Sequence, residues 1–284
     1  MTALVEYQTE APTTPETIAA QDALVDSRRK HRKAVAHRQR IIVGSLSVVG
    51  GLVVWVVAAA IVHNQLFLVG PWQVVRRAGQ LFANGTLGDD LTTSGEEFLG
   101  GLVAAICFGV PVGILIGISH RARNVMQPWI SGLYSTPVVA LSPLLILWFG
   151  IGLVSKIVVI FSVAVFPIIT NTQAGITGLD PDLVEMARCF QFTRRTMIRH
   201  IYLRGSLPLV LTGIRLAIGR AIVGVVVAEL FGARSGLGYE IEVTSQAYDT
   251  AGLFACIILL AFIGVVFSSI AIRMERMAAP WLQK

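Results

Sequence analysis

Apolar positions along the chain gather into six long runs, at about residues 41–62, 99–119, 133–152, 154–172, 206–231 and 250–272. The first, Ile41–Val62, holds 22 residues without a charge. As a helix it is about 33 Å long, enough to cross a hydrocarbon core of ~30 Å. It is longer than the apolar part of a signal peptide and lies too far along the chain for one, so it is expected to be a retained span. The second run carries Gly109, Gly113 and Gly117 at four-residue spacing. Small residues so spaced form a flat helix face against which a neighbour packs closely. Pro111 lies among them and is expected to kink that span. The third run contains Pro137 and Pro143, and the fourth follows at once, which predicts a tight helical hairpin. The pattern predicts an all-α polytopic membrane protein with six transmembrane helices.

Composition narrows the class further. Hydrophobic residues make up 54% of the 284 and charged residues 14%, against about 25% charged in soluble domains. A soluble fold of this size could not bury so much apolar surface, which excludes an ordinary soluble enzyme, a disordered chain and a disulfide scaffold. Cys107, Cys189 and Cys256 are odd in number, and the first and last lie inside apolar runs. They are expected to be small buried hydrophobes, with no disulfide and no metal site. The five histidines are scattered and form no cluster.

The net charge of +6 acquires meaning from its placement. With the N-terminus inside, segments 1–40, 120–132, 173–205 and 273–284 face the cytoplasm and hold seventeen Lys and Arg residues. The opposite side holds four, Arg76, Arg77, Lys156 and Arg234. That asymmetry predicts a multi-pass protein with both termini cytoplasmic. Residues 1–27 lack apolar periodicity and are expected to be disordered. The block Arg28–Arg40 abuts the first span without interleaved aromatics, so it fits anionic lipid headgroups and not nucleic acid. Residues 1–40 therefore form a cytoplasmic tail and 41–284 the transmembrane domain.

Segment 173–205 is the long cytoplasmic connection between spans. Asp180-Pro181 predicts an N-cap followed by proline at the first helical position, with a short helix through Ala187 and Cys189. Thr193 is placed to cap a second short helix from Arg194 to about Leu203. Taken alone, this pair also fits interfacial helices that merely fill a loop.

The run Glu185-Met186-Ala187, then Gln191, then Ile201-Tyr202-Leu203-Arg204 resembles the cytoplasmic loop of ABC importer permeases. Ser142–Gly152, Thr212–Ala221, Ala228–Gly232 and Gly236–Tyr239 are similar to the nitrate/sulfonate/taurine (alkanesulfonate-type) branch of that family, and the likeness spans about residues 66–280. Three loop positions depart from the pattern: Met186 replaces a small residue, Gln191 a glycine and Arg204 a proline. Glycine at that turn supplies positive φ, so either a reshaped turn or a longer helix is expected here. Glu97 stands where the family usually has arginine.

The resemblance implies a type I ABC importer permease in a bacterial cytoplasmic (inner) membrane. A second permease copy would complete the path, as a homodimer. Two ATP-binding cassette subunits would receive the loop through Glu185, Met186, Ala187, Gln191, Arg194 and Arg195, and an external solute-binding protein would deliver substrate. The chain has no G-x-x-x-x-G-K-[ST] loop, so ATP and Mg belong on the partners and the chain itself is a transport subunit, not an enzyme. The implied cargo is a small, mostly anionic solute such as nitrate, a sulfonate, taurine, an aromatic acid or a vitamin precursor. A secondary transporter and a non-transporting membrane adaptor are the other two classes, though inverted halves and matched interrupted spans are not evident.

Arg215, Arg220 and Glu229 fall inside the fifth run. A bare arginine near the bilayer centre costs at least ~2.5–3.5 kcal/mol, so each is expected to face protein or water. The two arginines are about 140° apart around a helix, so an unbroken helix cannot aim both into one narrow path. Arg220 is the preferred path residue, a structural contact being the other reading for either arginine. Glu229, about 21 Å along the axis from Arg215, is expected to be an outer gate, a docking contact or a solvated helix-end acid. The 232–250 segment is expected to be an outer gate, a binding-protein contact or a solvated loop.

Overall fold

A computed structural model of the chain describes residues 39, 42–62, 64 and 66–278; all of the N-terminal tail but Gln39, with every basic residue of its block, lies outside the described residues. Two compact units divide at His63 and Asn64. The first holds one described helix, α1 (Ile42–Val62), 21 residues long.

The second unit contains α2 (Pro71–Ala83), α3 (Thr86–Ile118), α4 (His120–Ser135), α5 (Val138–Phe149), α6 (Leu153–Thr177) and α7 (Pro181–Cys189). These are followed by α8 (Arg194–Thr196), a π-helical stretch (Met197–Tyr202), α9 (Leu203–Gly232), α10 (Leu237–Gln246) and α11 (Thr250–Ala278). No strand occurs among the described residues. Among the described residues five helices are long and apolar enough to cross a membrane, with a sixth span if the bent pair α4 and α5 crosses as one.

Helix α6 is central, packed between α3 on one side and α9 on the other. Their shared core includes Ala105, Ile160, Ala164, Ile168, Ala217, Ala221 and Val225. Lipid tails are as apolar as these side chains, so close van der Waals packing holds the helices together. Gly109, Gly113 and Gly117 of α3 lie against Ile168, Thr172 and Ile176 of α6, one turn apart each time. A Cβ on Gly113 would sit 2.6 Å from the Thr172 Cβ and 2.9 Å from the Ile169 carbonyl oxygen. Only glycine permits that approach.

Several boundaries differ from the sequence expectation. The second span was expected to begin at Leu99, yet α3 begins at Thr86 and takes in four acidic residues, Asp89, Asp90, Glu96 and Glu97. It continues as one helix through Pro111. The third span, expected as one helix over 133–152, is broken: α4 and α5 meet at 98°. Thr136, the residue before Pro137, is extended (φ −74°, ψ 131°), the conformation that a following proline enforces. The expected 120–132 loop is thus the body of α4. The helix begun at Arg194 does not stop near Leu203; with α9 it forms one helical run of 39 residues, Arg194–Gly232. The outer segment after Gly232 folds as α10. Of the three free cysteines only Cys256 is buried; Cys107 and Cys189 are exposed.

Candidate functional site

Three features of the second unit bear on function. The first is the segment that follows α6. Asp180 caps α7 by accepting from the Asp182 N–H at 2.9 Å, with Pro181 at the first helical position. Ala187 is buried, whereas Glu185 and Met186 on the same helix are exposed. Helix α7 ends after Cys189, and Gln191 adopts φ +53°. The Gln191 N–H donates to the Arg188 carbonyl (2.8 Å) and the Phe192 N–H to the Ala187 carbonyl (3.2 Å). This is a Schellman ending with glutamine where glycine is usual. The turn therefore keeps its left-handed residue, and neither a reshaped turn nor a longer helix results. Thr193 then accepts from the Thr196 N–H (3.3 Å) to cap the next helix, with Arg194 and Arg195 exposed at its start.

A non-glycine residue held in the left-handed region costs on the order of 1 kcal/mol. Gln191→Gly is expected to stabilise this turn by that amount. Hydrogen exchange at the Phe192 amide, which closes the turn, should slow by about fivefold.

The second feature is the pair of arginines in α9. Arg215 is half-buried and faces Glu275 of α11 at 3.5 Å, and Thr212 donates to the same carboxylate at 3.2 Å. Arg220, near the middle of α9, is exposed and has neither a hydrogen bond nor an ion pair from its side chain among the described residues. The two guanidiniums have different environments, one engaged with a neighbouring span and one open.

The third feature was not anticipated. Three consecutive backbone N–H groups at the start of α10 are each met by a buried side chain. Asp90 accepts from Gly236 (2.7 Å), Ser94 from Leu237 (2.8 Å) and Glu229 from Gly238 (2.5 Å). The Ser94 hydroxyl donates in turn to Glu229 (2.6 Å). The first N–H groups of a helix lack internal partners, and carboxylates placed there also meet the positive end of the helix dipole. A Cβ on Gly236 or Gly238 would collide with the Glu229 carboxylate, which explains the two glycines. Beside this latch Glu97 and Lys156 form an ion pair at 2.5 Å, both side chains buried.

Glu229 is thus fully buried, which overturns the solvated helix-end reading. Lys156 is not an outer-loop charge; it sits in α6 facing Glu97 of α3. Asp90, Ser94 and Glu97 fall at i, i+4 and i+7 of α3, one helical face. That polar stripe was readable in the sequence, but it lay upstream of the span start assigned from hydropathy.

The other end of α10 is held by Asp249, which pairs with Arg77 of α2 (2.7 Å) and accepts from the Gly252 N–H (3.0 Å). Between the two ends lies Glu240, a buried residue outside the spans. Burial pushes its carboxyl above the ordinary range, Asp90 and Asp249 add to the rise, and Arg77 opposes it. A carboxyl raised in the folded state contributes stability at low pH that is lost as pH rises from its ordinary value through the raised one. Glu240→Gln is therefore expected to raise the melting temperature at pH 7 and to leave it unchanged well below the ordinary carboxylate value.

Among the described residues no cluster of His, Cys, Asp and Glu could hold a metal ion. Residues 109–284 match the family described as "Binding-protein-dependent transport system inner membrane component". The putative aliphatic sulfonates transport permease protein SsuC of Bacillus subtilis is 36% identical over 241 residues, which span 85% of this chain and 84% of that protein. The taurine transport system permease protein TauC of Escherichia coli is 30% identical over 270 residues, 93% of this chain and 98% of that one. In fold, the chain is similar to a chain of the inward-facing MetNI methionine ABC transporter, with a TM-score of 0.58 at 19% identity over 68% of this chain and 95% of that chain. On the length and level of these matches, the chain belongs to the binding-protein-dependent inner membrane permeases of ABC importers, in their alkanesulfonate-type branch.

Proposed function

We propose that this chain, with a second copy, forms the translocation path for a small organic anion of the sulfonate or taurine kind. In this reading it takes up the work of two ATP-binding cassette ATPases through α7. Arg220 carries the proposal: an arginine near the middle of a span, exposed on its own chain and unpaired among the described residues, needs water, a partner or an anion opposite it. The names of the two relatives support the substrate class.

The exposed Glu185 and Met186 on α7, with Arg195 beyond the turn, form the face offered to the ATPases. ATP and Mg stay on those subunits, and a solute-binding protein loads the opposite side. The excess of basic residues supports α7 and both termini on the cytoplasmic face of a bacterial inner membrane.

The test is uptake in vesicles carrying the permease, its ATPases and its binding protein. Glu185→Lys reverses a charge on the offered face and is expected to abolish ATP-driven uptake with membrane insertion intact. Normal uptake in that variant removes α7 from the coupling role.

A further inference from the structure

An open cavity of about 950 Å³ lies between the end of α3 and the segment after α7. One wall is apolar, formed by Pro111, Ile114, Leu115 and Ile118 of α3. Its rim is cationic, formed by Arg188 at the end of α7 and Arg194 at the start of the next helix. No acid lines it, and neither guanidinium has a hydrogen bond or ion pair among the described residues. The nearby Arg123 is already engaged, donating to the carbonyls of Ile116 (3.3 Å) and Gly117 (2.8 Å). The wall from Pro111 to Ile118 is about 10 Å deep along the helix axis.

We propose that this cavity binds one phospholipid with an anionic headgroup. The phosphate sits between Arg188 and Arg194, and an acyl chain lies along the Pro111–Ile118 wall. Guanidinium groups favour bidentate pairing with phosphate oxygens. An apolar wall of that depth at the end of a membrane span belongs to hydrocarbon, and basic pockets at the cytoplasmic face suit anionic headgroups. A free phosphate would satisfy the rim and leave the wall uncovered. The bound lipid bridges α3 to both helices of the coupling segment, so its headgroup braces the part of the chain that receives the ATPases. The site's placement in the cytoplasmic leaflet rests on the function proposed above; the binding itself does not.

The experiment is native mass spectrometry of the assembled transporter, titrated with phosphatidylglycerol or with phosphatidylcholine of the same acyl chains. One phosphatidylglycerol per permease copy should be retained, at least tenfold more tightly than phosphatidylcholine. Glycerol 3-phosphate at millimolar concentration should fail to displace it. Arg188→Gln with Arg194→Gln should abolish the preference, and Leu115→Trp, which fills the wall, should lower retention with both arginines in place. Equal retention of the two lipids overturns the proposal, as does an unchanged preference in the double variant or displacement by glycerol 3-phosphate. So does an assembled complex that holds no lipid because a photo-crosslinker at Ile118 captures a protein subunit. The readout is lipid retention, so a failed transport assay and a failed lipid site are told apart.

Discussion

Glu97→Ala is expected to destabilise the folded chain by about 3–5 kcal/mol, because it leaves the Lys156 ammonium buried without its counter-charge. Lys156→Ala should do the same from the other side. The informative variant is the pair replaced together by apolar residues, Glu97→Leu with Lys156→Met. Exchanging a buried ion pair for well-packed apolar groups is commonly neutral or stabilising, so the double variant should recover most of the loss. One oxygen of Glu97 has no hydrogen-bond partner among the described residues, which lowers what the wild-type pair contributes and favours that recovery. Melting in detergent measures all three, and the single variants should fall by on the order of 10 °C. A double variant as unstable as either single one would show that the two charges do more than neutralise one another, for instance by holding Glu229 in place.

Arg220→Gln carries the other large effect. If the exposed guanidinium meets the anion in transit, its loss removes a charge-assisted hydrogen bond, about 1.5–3 kcal/mol. Uptake should fall by about tenfold or more while ATP hydrolysis by the assembled complex persists. Arg220→Lys should retain part of the rate, since the charge remains and the planar fork does not. Arg215→Gln is the control of opposite kind: that residue faces Glu275 in α11, so its replacement should lower melting temperature more than substrate selectivity. Unchanged uptake in a properly assembled Arg220→Gln complex would take the residue out of the path.

Much of the framework was legible because its signals are local. The caps at Asp180-Pro181 and at Thr193 follow from adjacent residues, and both are present, whereas Gln191 ends α7 in the left-handed turn that its side chain argued against. The row Gly109, Gly113, Gly117 marked the close face of α3, although its partner α6 could not be named from spacing. What hydropathy missed were the places where polar residues belong to a span. Helix α3 carries four acids in its first turns, so a window that penalises charge starts the span too late. Lys156, counted as an outer charge, is buried through contact with a residue 59 positions away. The latch on α10 joins Asp90 and Ser94 to Gly236 and Leu237, some 145 positions along, and no window contains that information. The break at Pro137 was written in the sequence but was outweighed by the apolar run on either side.

The uninterrupted run from Arg194 to Gly232 has a mechanical consequence. It is about 58 Å long, with α7 and its turn at one end and Glu229, hooked onto α10, near the other. Helix α6 packs along this rod from Ser206, against Gly175, to Ala228, clustered with Val159, so that part moves with α6 as one body and the free stretch is the one before Ser206. The wider π-helical winding at Met197–Tyr202 falls in that free stretch, between α7 and the packed part of the rod. In the coupling role proposed for α7, stiffening that stretch is expected to change ATP-driven uptake without touching Arg220.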